Sequence, residues 1–599
     1  MTDKPAPLAT TPRAPDPAAM AQAMTELAHN ARDAAVATTR RLGASAAEPA
    51  PYDASAIARA FGAYGMSLAA RPDRLFAESL KNAAAWSELW ATTARRALGQ
   101  EAAPVVEPEK GDRRFRDPAW TGDVVFDALK QSYLLAGKQL TGLIDVADDL
   151  DPKARRQVDF FTRQAIAAAA PTNFAPTNPA VMRKAAETGG LNLVTGYSNW
   201  LQDVAGGQGL PTRRAPDTFE LGVNIACTPG SVVFQNDLMQ LIQYAPSTAE
   251  VRKRPLLFVP PVVNKYYLFD LTPKSSFLKW LVDQGHTVFV ISWVNPDLEH
   301  AHKDFAAYLK EGPLEALDAI EQATGERQID LVAYCLGGTL SAALLAYLAG
   351  TGQGDRVATA TLVATLIDFA DMGEWSTFTD EDHLAAFTRY LDGKGYVEAH
   401  DLTKLFSVVR ANDLIWSSVV NHYLMGEEAA PSDLLWWFAD GARIPAGMLK
   451  SYGQTVLQQN RLRESGGMSI DDVPLDLGAV TTPVTIVSLK DDHVAGWQAT
   501  YGGVKLFGGE TSFLLGGSGH NAGMINPPTV EKHGYWTNDE TPETAEAWLE
   551  GAENRKGSWW PRWRATLDEG NPLVPARDVG GGALKPIEPA PGAYARVRH

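Results

Sequence analysis

Cysteine is the residue type here best suited to covalent chemistry, and the chain has two, Cys227 and Cys335. Cys335 lies within QIDLVAYCLGGTLSAALLAYLAG. Residues 329–333 form a short apolar strand pattern and residues 339–349 an apolar helix pattern. Tyr334-Cys335-Leu336-Gly337-Gly338 is all that separates the two. On so tight a strand-to-helix turn the thiol projects from the backbone, while the small Ala333, Gly337 and Gly338 let strand and helix approach. The turn also leaves backbone N–H groups at the helix start available to a developing oxyanion. The chemistry this suits is acyl transfer through a thioester on sulfur. Cys227, in NIACTPG, has no such turn and reads as a small apolar residue.

A thiol acts through its thiolate, so a base must lie near it in space. A turn of this kind is the nucleophile elbow of an α/β-hydrolase fold, whose chain order is nucleophile, acid, histidine. Downstream, VTIVSL (484–489) runs into Lys490-Asp491-Asp492-His493, and TSFLLGG (511–517) runs into Ser518-Gly519-His520-Asn521. Cys335, Asp492 and His520 are therefore the candidate triad, with Asp491 and His493 read as solvated neighbours. The amide of Leu336 is the first candidate oxyanion donor. The second comes from the loop after PLLFVPP (255–261), at Val262 or Val263, and Val263 is taken forward.

The elements that must hold these residues are visible as patterns. Residues 1–50 are rich in Ala, Pro and Thr with few large apolar side chains, too little to order themselves. Over 51–215 helical spacing dominates. Phe76, Leu80, Ala83, Trp86 and Trp90 form one stripe; Phe126, Leu129, Tyr133, Ala136, Leu140 and Leu143 form another. Both are read as core faces. From about 220, β-branched runs at 255–261, 286–293, 328–334, 357–369, 484–489 and 511–517 alternate with helical stretches. That alternation predicts a parallel sheet with its ligand at the strands' carboxyl ends. Between 369 and 484 lies more chain than a crossover needs, and it is rich in aromatics. A helical lid over about 370–455 is expected, although its aromatics would serve equally as the core of a subdomain. The expected class is thus α/β: an α/β-hydrolase domain over 216–575 with an inserted lid, an N-terminal helical domain over 51–215, a disordered 1–50 and a tail over 576–599.

Composition narrows the function. With 599 residues, 45% of them hydrophobic, the chain can bury a large core. Two cysteines argue against a disulfide framework and fit a reducing, cytoplasmic setting. A formal net charge of −17 without a basic block argues against nucleic acid. No run approaches the ~18 apolar residues of a transmembrane segment. Phosphate-loop, dinucleotide and metal-ligand signatures are absent from the sequence, so no cofactor is expected.

YCLGG, the Asp492-His493 pair and SGHNAG…INPP (518–528) together resemble the polyhydroxyalkanoate synthases, acyltransferases that form polyesters. RRFRDPAW (113–120), PTNFAPTNP (171–179), VPPVVNKYYLFDL (259–271), SWVNPD (292–297) and NDLIW (412–416) resemble further stretches of that family, over roughly residues 50–595. Length and the N-terminal helical region resemble its class I. Three positions depart from the pattern: Ala333 stands where the family has Gly, Cys227 where Thr is common and Val294 where Arg is frequent.

The resemblance implies polymerisation of (R)-3-hydroxyacyl-CoA, such as 3-hydroxybutyryl-CoA, with release of CoA. Cys335 would carry the acyl chain and His520 would deprotonate it. Asp492 would either orient His520 or assist deprotonation of the attacking 3-hydroxyl; the second role would let Asp492→Asn spare acylation and cripple elongation. It also implies a homodimer on the surface of polyester granules. Lys265 and Arg410 are candidate contacts for the CoA phosphates, read otherwise as solvated surface charges. Trp416 is a candidate dimer contact, read otherwise as core. A thioesterase or depolymerase would use the same triad, whereas a granule scaffold would have no use for it.

Overall fold

The computed structural model describes residues 13–44, 52–207, 209–211, 218–428 and 430–598. The chain divides into two compact units, Met1–Ala215 with Lys404–Ala430, and Pro216–Thr403 with Pro431–His599.

The first unit is helical: α1 Pro17–Ala44, α2 Ala54–Ala69, α3 Pro72–Ala97, α4 Val124–Val146, α5 Pro152–Ala168, α6 Pro179–Thr188 and α7 Leu191–Gly206. Asp53, Asp123, Asp151 and Asn178 cap the starts of α2, α4, α5 and α6 by accepting from first-turn N–H groups. Pro152 and Pro179 occupy first-turn positions where no N–H is needed.

Two expectations change in this unit. Residues 17–44, expected to lack order, form α1; the remainder of 1–50 lies outside the described residues, apart from 13–16. Counting large apolar side chains overlooked alanine, the best helix former. Ala23 and Ala34 are buried, and α1 packs on α7, where Asn30 donates to the Ser198 hydroxyl at 2.9 Å. The stripe on α3 is the second change. Phe76, Leu80 and Trp90 are exposed, and the residues that α3 buries are Leu89 and Thr92. Periodicity locates an apolar stripe but does not reveal whether a neighbour covers it.

The second unit is built on an eleven-stranded sheet. Its strands are β1 Gly230–Gln235, β2 Met239–Tyr244, β3 Leu256–Val259, β4 Val288–Trp293, β5 Ile329–Tyr334, β6 Val357–Val363, β7 Val484–Leu489, β8 Thr511–Gly516, β9 Tyr535–Thr537, β10 Glu553–Arg555 and β11 Glu588–Pro589. The spatial order is β10-β9-β8-β7-β6-β5-β3-β4-β2-β1-β11, and the six strands from β8 to β4 run parallel. Leu331 and Ala333 of β5 join one hydrophobic cluster, and Val332 and Tyr334 join another, so both faces of the sheet are covered. Every residue of β5 is buried.

Register aligns the carboxyl ends. Val259 pairs with Ala333, Tyr334 with Val363, Val363 with Val487 and Leu489 with Gly516. The loops after β3, β5, β7 and β8 therefore leave one edge at neighbouring positions. Helix α8, Leu336–Gly350, follows β5 directly.

The expected lid is divided. Residues 404–430 group with the helical unit, whereas the flanking stretches, including α9 at Asp433–Ala439, stay with the sheet. The expected tail is also structured: β11 adds to β1 antiparallel, with Ser231 opposite Pro589 and the Gln240 amide donating to Glu588 at 2.6 Å. An edge strand offers unpaired backbone groups, and the terminal segment takes them.

The start of α8 is packed tightly against β3. A Cβ built on Gly337 would lie 2.5 Å from the carbonyl oxygen of Val259 and 2.6 Å from that of Pro260. Backbone cannot yield as a flexible side chain can. Gly337→Ala is expected to destabilise the protein by about 1–3 kcal/mol, measured by urea unfolding. A change within experimental error would show that helix and strand can separate at no cost.

Candidate active site

Cys335 sits between β5 and α8 with φ 54° and ψ −125°, a conformation that L side chains rarely adopt. Several contacts hold it there. The Cys335 N–H donates to the Val363 carbonyl at 2.9 Å. The Thr365 hydroxyl lies 3.0 Å from the Val363 carbonyl and 3.3 Å from that of Cys335. A Cβ on Gly338 would fall 1.9 Å from that hydroxyl, so glycine is required there too. Leu336 is the first residue of α8, and its N–H has no acceptor within the helix.

Asp492 follows β7. One carboxylate oxygen accepts from the N–H groups of Val494 and Ala495, at 2.7 and 3.0 Å. The other lies 2.7 Å from His520 Nδ1. His520 opens the short helix α10, His520–Met524, just past β8. Its burial opposes the charged ring, but the Asp492 carboxylate, the charge of a Cys335 thiolate and hydrogen bonds to both outweigh this and push its pKa up to about 10. The three residues chosen from sequence are thus brought together at one edge of the sheet. Asp491 is exposed and His493 half-buried.

The other choices fall as follows. Val262 is buried and Val263 half-buried, in the loop that leaves β3 beside Gly337. Cys227 is half-buried, and burial followed by the charge of Asp270 pushes its thiol pKa up, the reverse of activation. Lys265 is no surface charge: its side chain is 4% exposed and pairs with Asp440 at 3.0 Å. Arg410 pairs with Asp413 within the helical unit. Trp416 is half-buried.

Sequence reasoning missed the residues that hold the triad. The Tyr334 hydroxyl donates to the His520 carbonyl at 3.0 Å and to the Asn521 side chain at 3.1 Å, and its ring lies 4.9 Å from the imidazole. Trp559 and Trp560 donate their indole N–H groups to the carbonyls of Gly523 and Met524, each at 3.0 Å, tying down α10. The run SWWPRW was the available signal. Tyr452 lies close enough to Cys335 that burial, then the sulfur's charge, push its phenol pKa up. Among the described residues no cluster of three or more His, Cys, Asp or Glu could hold a metal.

Two family models match the chain. One described as the N-terminus of poly-beta-hydroxybutyrate polymerase (PhaC) covers residues 111–281, and one described as the alpha/beta hydrolase fold covers 270–527. A poly(3-hydroxyalkanoate) polymerase of Methylorubrum extorquens is 42% identical over 88% of this chain and 87% of its own. A poly(3-hydroxyalkanoate) polymerase subunit PhaC of Rhizobium meliloti is 42% identical over 85% and 84%. The subunit of that name from Cupriavidus necator is 38% identical over 81% and 83%.

The raised pKa of His520 sets a pH dependence. A protonated His520 contributes stability that is complete below pH 6.5 and is lost as pH rises through about 10. Asp492→Asn keeps an oxygen for the two amides but removes the negative charge. Its melting temperature is expected to fall below wild type at pH 6.5 and to converge with it above about pH 10. A gap that stays constant across this range would mean His520 carries no extra proton.

Proposed function

The chain belongs to the poly(3-hydroxyalkanoate) polymerase family of acyltransferases, and on that footing we propose that it polymerises (R)-3-hydroxyacyl-CoA through a thioester on Cys335. The observation that carries this is the 2.7 Å Asp492–His520 pair beside a cysteine on a strained elbow. His520 takes the Cys335 proton, and the thiolate attacks the thioester carbonyl. The new C–S bond forms as the bond to CoA sulfur breaks, and the proton on His520 passes to the departing CoA thiolate. The 3-hydroxyl of another acyl unit then attacks the Cys335 thioester. An ester forms, and Cys335 returns as a thiol. Because sulfur replaces sulfur in the first step, the carbonyl keeps its activation for attack by oxygen.

The oxyanion of each tetrahedral intermediate is met by the amide of Leu336 and by that of Val262 or Val263. Asp492 orients His520. Both of its oxygens are occupied and its side chain is 0% exposed, so no substrate hydroxyl reaches it, and His520 serves as base in both steps. This favours the first of the two roles that the family resemblance leaves open. The polymer is insoluble, so the enzyme works in the cytoplasm on the surface of polyester granules, and it works as a homodimer. 3-Hydroxybutyryl-CoA is the proposed monomer.

The test is CoA release from (R)-3-hydroxybutyryl-CoA, with the product collected. Wild type should release CoA and deposit insoluble polymer, and Cys335→Ala should do neither. Free hydroxy acid in place of polymer would make the enzyme a thioesterase. Asp492→Asn should slow the first turnover and later turnovers alike, by about 100-fold or more. A normal first burst of CoA with stalled elongation would return Asp492 to the hydroxyl.

A further inference from the structure

The loop between β3 and residue 265 is held at both ends. Trp293 donates its indole N–H to the Pro260 carbonyl at 3.0 Å, and Trp437 donates its own to the Lys265 carbonyl at 2.8 Å. Lys265 then extends its ammonium to Asp440, which ends α9. Asp440 is saturated: Lys265 Nζ lies at 3.0 Å and Arg598 Nε at 3.3 Å from one oxygen, and the Tyr267 hydroxyl donates to the other at 2.7 Å. Both side chains of the Lys265–Asp440 pair are 4% exposed. A buried ion pair is a poor way to gain stability, because desolvating two charges offsets their attraction. What it supplies is position, since one partner cannot move without leaving the other unpaired. Between the two anchored carbonyls lie Val262 and Val263, one of which must aim its N–H at the oxyanion. Gly337 packs directly on the Val259 and Pro260 carbonyls, so a shift of this loop is a shift relative to Cys335.

We propose that Lys265, Trp437 and Asp440 are positioning residues that clamp the loop carrying the second oxyanion donor. The residues come from the chain just after β3 and from α9, which the sequence places some 170 positions later (Lys265 to Asp440 spans 175). The segment inserted between β6 and β7 thus completes the acyl-transfer site from behind. This rests on the reading of Cys335 as the nucleophile, and the test separates the two.

Thioester acylation of Cys335 passes through a tetrahedral oxyanion, whereas alkylation of the same sulfur by iodoacetamide is a direct displacement that forms none. Asp440→Asn and Lys265→Met should each lower kcat for CoA release by about 30-fold with KM within about threefold. The alkylation rate of Cys335, followed by mass spectrometry, should stay within about twofold of wild type, since the loop is not used. Trp437→Phe keeps an aromatic side chain in the pocket while removing the indole donor and part of the ring's bulk. It should show the same pattern at about 3- to 10-fold, and it guards against variants that fail to fold. Unchanged CoA release, a parallel fall in alkylation, or an effect on KM alone would each overturn the clamp. CoA release surviving in Cys335→Ala would instead overturn the nucleophile, and the clamp with it. An inactive Cys335→Ala beside a fully active Asp440→Asn would remove the clamp alone.

Discussion

At Cys335 the backbone turns through φ 54° and ψ −125° within a single residue, and that turn dictates much of what surrounds it. A side chain held in this region costs of order 1–3 kcal/mol and persists only where neighbours over-determine it. Here they do. Strand β5 is buried along its whole length, the Cys335 amide is tied to β6, and α8 begins so close to its neighbours that a Cβ has no room at Gly337, against the end of β3, or at Gly338, against Thr365. The strain is what lifts the sulfur clear of the sheet while leaving the Leu336 amide unclaimed by the helix. Without the parallel register of β3, β5 and β6 there would be nothing to impose it.

Tryptophan indoles do much of the remaining positioning. Trp293, Trp437, Trp559 and Trp560 are all buried, and each donates its N–H to a main-chain carbonyl in a loop or short helix around the site. Such loops carry carbonyls that no ladder satisfies, and leaving one buried and unpaired costs about 1–3 kcal/mol. An indole answers with a single donor on a large apolar body, so it fills the core and satisfies the loop at once. Loops at the carboxyl edge, ordinarily the most variable part of such a fold, are thereby joined to the hydrophobic clusters beneath them.

What could be read from sequence follows from which features are local. The elbow is written in consecutive residues, and the strand runs before Asp492 and His520 are short, apolar and bounded by turn residues. Pattern and chain order were enough to bring Cys335, Asp492 and His520 to one edge. Features that depend on distant partners were not legible. Lys265 looked like a surface charge because Asp440 is far away in the chain and nothing local marks the pair. The aromatic stripe on α3 looked like core because spacing reports a face and not its cover. Helix α1 was missed for a different reason: its buried face is made of alanines, which contribute little apolar area but allow close approach to α7. The terminal strand β11 was invisible because two residues pairing with a sheet edge leave no periodic signature.

The burial of Asp492 bears on how one site can run two different attacks. A carboxylate with both oxygens engaged and no exposed surface can steer a neighbour but cannot meet a substrate. In the proposed cycle His520 then accepts a proton twice, first from the thiol and later from a hydroxyl. Between these events the ring must give its proton away, and the departing CoA thiolate is the acceptor at hand. Loss of CoA therefore does more than free the acyl group: it leaves His520 neutral, the form that can receive the hydroxyl proton. A hydroxyl arriving before CoA has taken that proton meets an imidazolium and finds no base. Asp492 supports this order, because its carboxylate still favours the charged ring after Cys335 is acylated and the thiolate charge is gone.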